Sequence, residues 1–138
     1  MTKQIETDTL REWLAARRPV TVLDVRTDDD RIQWAIPESV HVNAYEALRN
    51  GQPGALADLV IPADRPVVTV CNAGKVSQIA ADVLAKRGFD ARSLAGGMKA
   101  WSLAWNAAEV ALADSSVSVI QVRRTGKGWP LVPGRIEW

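Results

Sequence analysis

Apolar residues recur in two rhythms, and the way those rhythms alternate sets the expected fold. After a short extended start, Leu10, Trp13 and Leu14 repeat at helical spacing behind Thr7-Asp8-Thr9, whose side chains suit the capping of a helix start. Arg17 and Arg18 fit the negative end of that helix's dipole, and Pro19 closes it. Val20-Thr21-Val22-Leu23-Asp24-Val25 is rich in β-branched residues and reads as a buried strand. Asp28-Asp29-Asp30 starts a short helix that has to end before Pro37, and Val40-His41-Val42 is a second candidate strand. The segment from Gly51 to Gly54, with Pro53, reads as a loop.

Pro66-Val67-Val68-Thr69-Val70 is the clearest strand of all and ends at Cys71. A glycine-containing loop follows, and Ser77 is placed to cap a helix whose apolar side is Ile79, Ala80, Val83 and Leu84 and whose end is Gly88. Ala91-Arg92-Ser93-Leu94 is another strand, and Gly96-Gly97 turns the chain into a helix bearing Trp101 and Trp105. With the extended start counted as a strand, the rhythm predicts an α/β fold: a mainly parallel five-stranded sheet with helices on both faces.

From Asp114 the rhythm changes. Residues 117–122 read as one more strand, and then Gly126, Gly128, Pro130, Pro133 and Gly134 interrupt the chain. The expected division is therefore an α/β domain over 1–113 and a C-terminal appendage or linker over 114–138. A length of 138 residues fits one compact domain of this kind.

Composition narrows the function classes. Seventeen Lys and Arg against sixteen Asp and Glu leave a net charge of +1, which offers no electrostatic footprint for nucleic acid or an anionic membrane. The start, Met1-Thr2-Lys3-Gln4-Ile5-Glu6, is unlike a signal peptide, and no stretch approaches the roughly 20 apolar residues of a membrane span. A soluble cytoplasmic protein is expected, with neither nucleic acid nor membrane among its partners. One cysteine excludes an internal disulfide, and one histidine argues against a zinc site, so no metal and no cofactor are expected.

The chemistry is expected where the strand meets Cys71, the loop Asn72, Ala73, Gly74, Lys75 and Val76, and the helix opening at Ser77. Loops at the carboxyl end of a strand are where α/β sheets place ligands. Successive loop N–H groups and the first helical turn form an anion-binding nest, and helix N-termini and nearby cations favour the thiolate of a cysteine. Lys75 supplies the local charge, and Gly74 permits a backbone turn that a side chain would obstruct. A thiolate so held suits attack on a phosphoryl group or attack on sulfur to form a persulfide. Cysteine-dependent phosphatases close a Cys-x5-Arg loop with an arginine; here the sixth residue after Cys71 is Ser77, and bidentate phosphate capture is lost.

At this point three motifs, in order, resemble the rhodanese family. Cys71-Asn72-Ala73-Gly74-Lys75-Val76-Ser77 is similar to the family's Cys-x-x-Gly-x-Arg/Thr-Ser loop. Leu23-Asp24-Val25-Arg26, with Ile36-Pro37 and Val40-His41-Val42 after it, resembles the N-terminal signature, and Leu94-Ala95-Gly96-Gly97-Met98-Lys99-Ala100-Trp101 the C-terminal Leu-x-Gly-Gly-x-x-x-Trp. The resemblance spans roughly residues 4–106. It implies a sulfurtransferase that takes sulfane sulfur from thiosulfate or a low-molecular-weight persulfide such as glutathione persulfide. Cys71 would be the nucleophile and carrier, residues 72–77 would bind the anion through their amides, and a thiol or cyanide would accept the sulfur.

The chain departs from the family pattern at Val76, where Arg or Thr is usual, and around Ile36-Pro37, where Trp34-Ala35 replaces Gly-His and Glu38-Ser39 replaces Gly-Ala. Val76 removes a polar contact to an anionic donor, and both changes are expected at the mouth of the site. Asp24 and Arg26 are expected to serve structure, with Arg26 also a candidate substrate contact at the rim. His41 reads as a packed or surface residue, and the six tryptophans as core or edge cover. Residues 119–128 resemble the first strand of a metallo-β-lactamase-like domain in rhodanese–hydrolase fusions, without that domain's metal-binding motif. A separate hydrolase of this class, a persulfide dioxygenase, is therefore a candidate partner, with this chain as a low-activity persulfide-binding or regulatory module as the alternative function.

Overall fold

The computed structural model describes the backbone of residues 2–114 and the side chains of residues 2–105. The strand predicted over 117–122 and the fusion-like stretch 119–128 lie outside the described residues. Five strands form one sheet: β1 (Gln4–Ile5), β2 (Thr21–Asp24), β3 (Val40–His41), β4 (Val67–Val70) and β5 (Ala91–Leu94), in the order β1-β5-β4-β2-β3 with every pairing parallel. The helices are α1 (Thr7–Ala15), α2 (Asp28–Gln33), α3 (Tyr45–Arg49), α4 (Val76–Lys86) and α5 (Gly97–Asp114). Among the described residues no helix is long and apolar enough to cross a membrane.

The continuous apolar runs of β2 and β4 have a physical reason: both strands are buried along their whole length, because helices cover both faces of a parallel sheet. Side chains alternate between the faces. Leu23, Val25, Val67 and Ala91 pack with α3 and α4, through Leu48, Ala80, Ala81 and Leu84. Val22, Val68, Val70 and Leu94 pack with α1 and α5, through Leu10, Trp13, Met98 and Trp101. Trp13 and Trp101 are thus core residues, as expected of them, and Trp34 is buried with them.

Several local expectations need correcting. The first helix is capped at Glu6 without a side-chain bond, so Thr7-Asp8-Thr9 start the helix but do not cap it. Arg17 and Arg18 lie past its end: Arg17 has φ 55, its N–H donates to Leu14 O, and the Arg18 N–H donates to Trp13 O, a Schellman arrangement of main-chain bonds. Helix α3, unpredicted because its five residues are too short for a periodic signal, precedes the Gly51 turn. In α4 the buried side is Val76, Ser77, Ala80, Ala81 and Leu84, whereas Ile79 is exposed. Lys75, one residue before Val76, is the N-cap, so Ser77 is free to point inward.

The topology fixes where a site belongs. From β2 the chain departs through α2 to β3 on one side, and from adjacent β4 it departs through α4 to β5 on the other. The carboxyl ends of β2 and β4 therefore flank a switch point, the crevice where such sheets bind ligands. Asp24–Arg26 stand at one lip and Cys71–Lys75 at the other.

Candidate active site

Val67, Thr69 and Cys71 alternate onto the α4 side of β4, so the Cys71 side chain emerges directly beneath the first turn of α4. Cys71 is only 2% exposed. Its Sγ accepts from the Gly74 N–H at 3.1 Å and the Ser77 N–H at 3.3 Å, and the Ser77 hydroxyl lies 3.4 Å away. The loop thus bends back over its own first residue and aims main-chain donors at one sulfur atom. Gly74 makes the bend possible, with φ +94 and with space for a Cβ limited by the Gly96 nitrogen at 3.0 Å.

Gly96-Gly97 close the loop from behind. The Met98 N–H donates to Cys71 O at 2.8 Å and the Lys99 N–H to Asn72 O at 3.0 Å, so the first turn of α5 spends its free donors on the carbonyls of the loop. The approach is so tight that a Cβ on Gly97 would stand 2.3 Å from Cys71 O. The third sequence motif is therefore a clamp on the back of the first.

The second motif supplies the front. The fully buried Arg26 is paired with buried Asp24 through Nε at 3.0 Å and NH2 at 2.9 Å, and it also donates to Trp34 O. From there NH1 reaches Asn72 Oδ1 at 3.3 Å, and Asn72 Nδ2 donates to Asp30 Oδ2 at 2.9 Å. The guanidinium bridges the two lips of the crevice from within the protein. Thr27 caps α2 by accepting from the Asp30 N–H, which fixes the aspartate that Asn72 meets. His41 is half-buried and its Nε2 lies 2.8 Å from Arg26 O, a packing role as expected.

Of the expected site residues, Cys71, Gly74 and Ser77 come together around the sulfur. Asn72 faces Arg26 and Asp30. Ala73 and Lys75 are exposed on the outer side of the loop. Val76 and Trp34, both expected at the mouth, are buried instead: Val76 packs into the α4-side core and Trp34 into the α1- and α5-side core. Both are apolar groups that join these cores, and the gain from burial keeps them out of the mouth. One contributor escaped sequence reasoning. Ser93 of β5, fully buried, has its Oγ 2.7 Å from Ser77 Oγ. The available signal was a hydroxyl at an inward position of a strand beside the cysteine strand.

Comparison with known proteins adds a family to this geometry. The sequence model of the family described as Rhodanese-like domain matches residues 6–104. The candidate sulfurtransferase YtwF of Bacillus subtilis is 27% identical over 99 residues, covering 72% of this chain and 89% of that protein. A sulfurtransferase of Allochromatium vinosum is 29% identical over 103 residues, covering 74% of this chain and 90% of that protein. The crystal structure of a rhodanese-like domain protein from Staphylococcus aureus superposes with a TM-score of 0.59 at 28% identity, covering 72% of this chain and 91% of that one.

Proposed function

The chain belongs to the rhodanese-like domain family, and from that premise we propose that it is a sulfurtransferase carrying sulfane sulfur as a persulfide on Cys71. The observation that carries the reading is the pair of N–H donors, from Gly74 and Ser77, converging on Cys71 Sγ. Preorganised donors of this kind stabilise a negative sulfur without the reorganisation that water would require.

The proposed donors are thiosulfate or a low-molecular-weight persulfide such as glutathione persulfide; the acceptors are a thiol or cyanide. The Cys71 thiolate attacks the outer sulfur of a persulfide R–S–SH. A new S–S bond forms at Cys71, the donor's S–S bond breaks, and its electron pair leaves with R–S⁻. With thiosulfate the leaving group is sulfite. An acceptor thiolate then attacks the outer sulfur of Cys71–S–SH, and Cys71 departs as the thiolate it began as. No external oxidant or reductant enters the cycle. Within residues 72–77, the Gly74 and Ser77 amides would cradle the charge throughout, and Lys75, exposed on the outer side of the loop, would add a nearby positive charge. The chemistry falls within the proposed domain 1–113, leaving 114–138 as an appendage or linker, and the proposed location is the cytoplasm.

The test uses the full chain, incubated with glutathione persulfide or thiosulfate. Intact mass is expected to show one added sulfur atom on the wild type and none on Cys71→Ser. Undiminished cyanide-dependent thiocyanate production by Cys71→Ser would overturn the proposal.

A second reading is favoured by the near-complete burial of Cys71, which restricts access for donors. In it the chain is a persulfide-binding or regulatory module that docks on a separate metallo-β-lactamase-like persulfide dioxygenase and turns over poorly alone. Turnover is then expected to rise when such a hydrolase is added. Robust turnover by the isolated chain, unchanged by the hydrolase, counts against it.

A further inference from the structure

Behind the sulfur stand two buried hydroxyls in series. Ser77 Oγ is 3.4 Å from Cys71 Sγ and 2.7 Å from Ser93 Oγ, and both serines are fully buried. Ser93 lies two residues beyond Ala91 in β5, on the same face, which turns it toward α4. Its main-chain N–H is held by Lys3 O at 2.9 Å, so the strand that carries it is fixed on its far side by β1. Among the described residues, the hydrogen-bond partner of the Ser93 hydroxyl is Ser77.

We propose that Ser93 is a positioning residue that stabilises the anionic sulfur of Cys71 through Ser77. The inference rests on the reading of Cys71 as a thiolate nucleophile. A thiolate can only accept, so for Ser77 to bond to it, Ser77 has to aim its one proton at the sulfur. Ser77 Oγ is then left as an acceptor, and the proton between the two serines has to come from Ser93. The order is Ser93 to Ser77 to sulfur. A neutral thiol also permits the reverse: S–H donates to Ser77, and Ser77 donates to Ser93. The pair therefore has two possible proton orders, of which the anionic sulfur of Cys71 accepts only one.

In the anionic order each donor polarises the next, and burial keeps water from competing with either bond. Without the Ser93 hydroxyl, Ser77 Oγ would face a buried space with no donor, and its grip on the sulfur would weaken. The same anion forms each time an acceptor removes the outer sulfur, so the pair would act at the start and the end of every cycle.

The experiment exploits the single cysteine of the chain, because every alkylation event reports on Cys71. Iodoacetamide alkylation rates are measured across pH for the wild type, Ser93→Ala, Ser93→Thr, Ser77→Ala and the Ser77→Ala/Ser93→Ala pair, with thermal melting to confirm folding. Ser93→Ala is expected to move the midpoint of the profile upward by about half a pH unit to one unit, which is about a three- to tenfold smaller thiolate fraction below the midpoint. Ser93→Thr, which keeps the hydroxyl, is expected to restore it. Ser77→Ala is expected to move the midpoint at least as far, and the double variant no further than Ser77→Ala alone, because Ser93 acts only through Ser77.

A folded Ser93→Ala with the wild-type profile overturns the inference, as does additivity in the double variant. If Ser77→Ala fails to fold, the comparison of Ser93→Ala with Ser93→Thr decides alone. Sulfur loading, read separately by intact mass, distinguishes this inference from the functional reading: a shifted profile with no loading removes only the sulfurtransferase, and loading with an unshifted profile removes only the role of Ser93.

Discussion

Gly97 lies directly against Cys71, so close that a Cβ on Gly97 would stand 2.3 Å from the Cys71 carbonyl oxygen and 2.7 Å from the Asn72 carbonyl carbon. Its φ of +58 disfavours any side chain as well. Gly97→Ala is expected to lower stability by about 2–4 kcal/mol, from backbone strain and overpacking together. It is also expected to slow sulfur uptake by Cys71, since the loop has to move off the clamp. Gly88→Ala is the control, with φ +98 and nothing within 4 Å of the added atom. It should lose stability by strain alone and load sulfur normally. Urea denaturation and loading rates of the two variants check this; equal behaviour would remove the clamp from the argument.

Asp90 supplies a pH-dependent contribution. Burial pushes its carboxyl upward, but the Arg92 hydrogen bond and charge, with Lys3 adding to them, outweigh that and hold it below the ordinary carboxylate value. A carboxyl depressed in the folded state stabilises above its unfolded value, near pH 4, and that stabilisation is lost as pH falls through the lower folded value. Arg92, at 3.3 Å, is partly exposed, and Lys3, at 3.5 Å, is exposed, so solvent screening limits the effect to below about 1 kcal/mol. Asp90→Asn is expected to be slightly less stable than wild type at pH 7, with the gap closing below pH 4 and shrinking in high salt. Urea midpoints at both pH values, at low and high salt, are the measurement.

The strands and the position of Cys71 at a strand end could be read from the sequence because each rests on a local signal. Pro66 to Cys71 is a β-branched run with a glycine loop after it, and β4 with Cys71 at its end follows from that. The roles of Ser77, Ser93, Val76 and Trp34 depend instead on which strands lie side by side. Ser77 looks like a cap until β5 places Ser93 2.7 Å from its hydroxyl. Val76 and Trp34 look like mouth residues until each is seen to belong to one of the two cores. Sheet order is set by long-range pairing, and a single sequence carries no local mark of it.

Glu38 occupies a backbone state that its side chain disfavours. Ile36-Pro37-Glu38-Ser39 is a tight turn closed by Ser39 N–H to Ile36 O at 3.1 Å, with Pro at its second position and φ 66 at its third, Glu38. A turn with proline second and positive φ third is the type II pattern, which favours glycine at Glu38's place. Left-handed backbone costs a non-glycine residue about 1–2 kcal/mol, and glycine's greater freedom in the unfolded chain takes back part of the gain. Glu38→Gly is therefore expected to raise stability by up to about 1 kcal/mol with sulfur loading unchanged. A lower melting temperature would mean that the Glu38 side chain contributes more than its backbone costs.

Arg26 was a candidate for touching the substrate, and its surroundings assign it other work. The guanidinium is buried, is forked onto Asp24 at 3.0 and 2.9 Å, and spends its remaining nitrogen on Asn72 at 3.3 Å. Arg26→Ala would leave the buried Asp24 carboxylate largely stranded, held only by the main-chain N–H of residue 26 at 3.0 Å and by Arg31 at 3.4 Å, at an expected cost toward the low end of about 3–5 kcal/mol. Arg26→Lys retains the charge but not the planar fork and should recover only part of that. Replacing both partners, Asp24→Asn with Arg26→Gln, removes the stranded charge and should be less harmful than Arg26→Ala alone. For the fraction that folds, the thiosulfate concentration giving half-maximal turnover should stay near that of wild type, with turnover itself reduced because Asn72 keeps only its bond to Asp30. A direct anion contact would give the opposite split: a much higher half-saturating thiosulfate concentration with little loss of stability. Steady-state kinetics on the soluble variants, read beside their urea curves, separates the two.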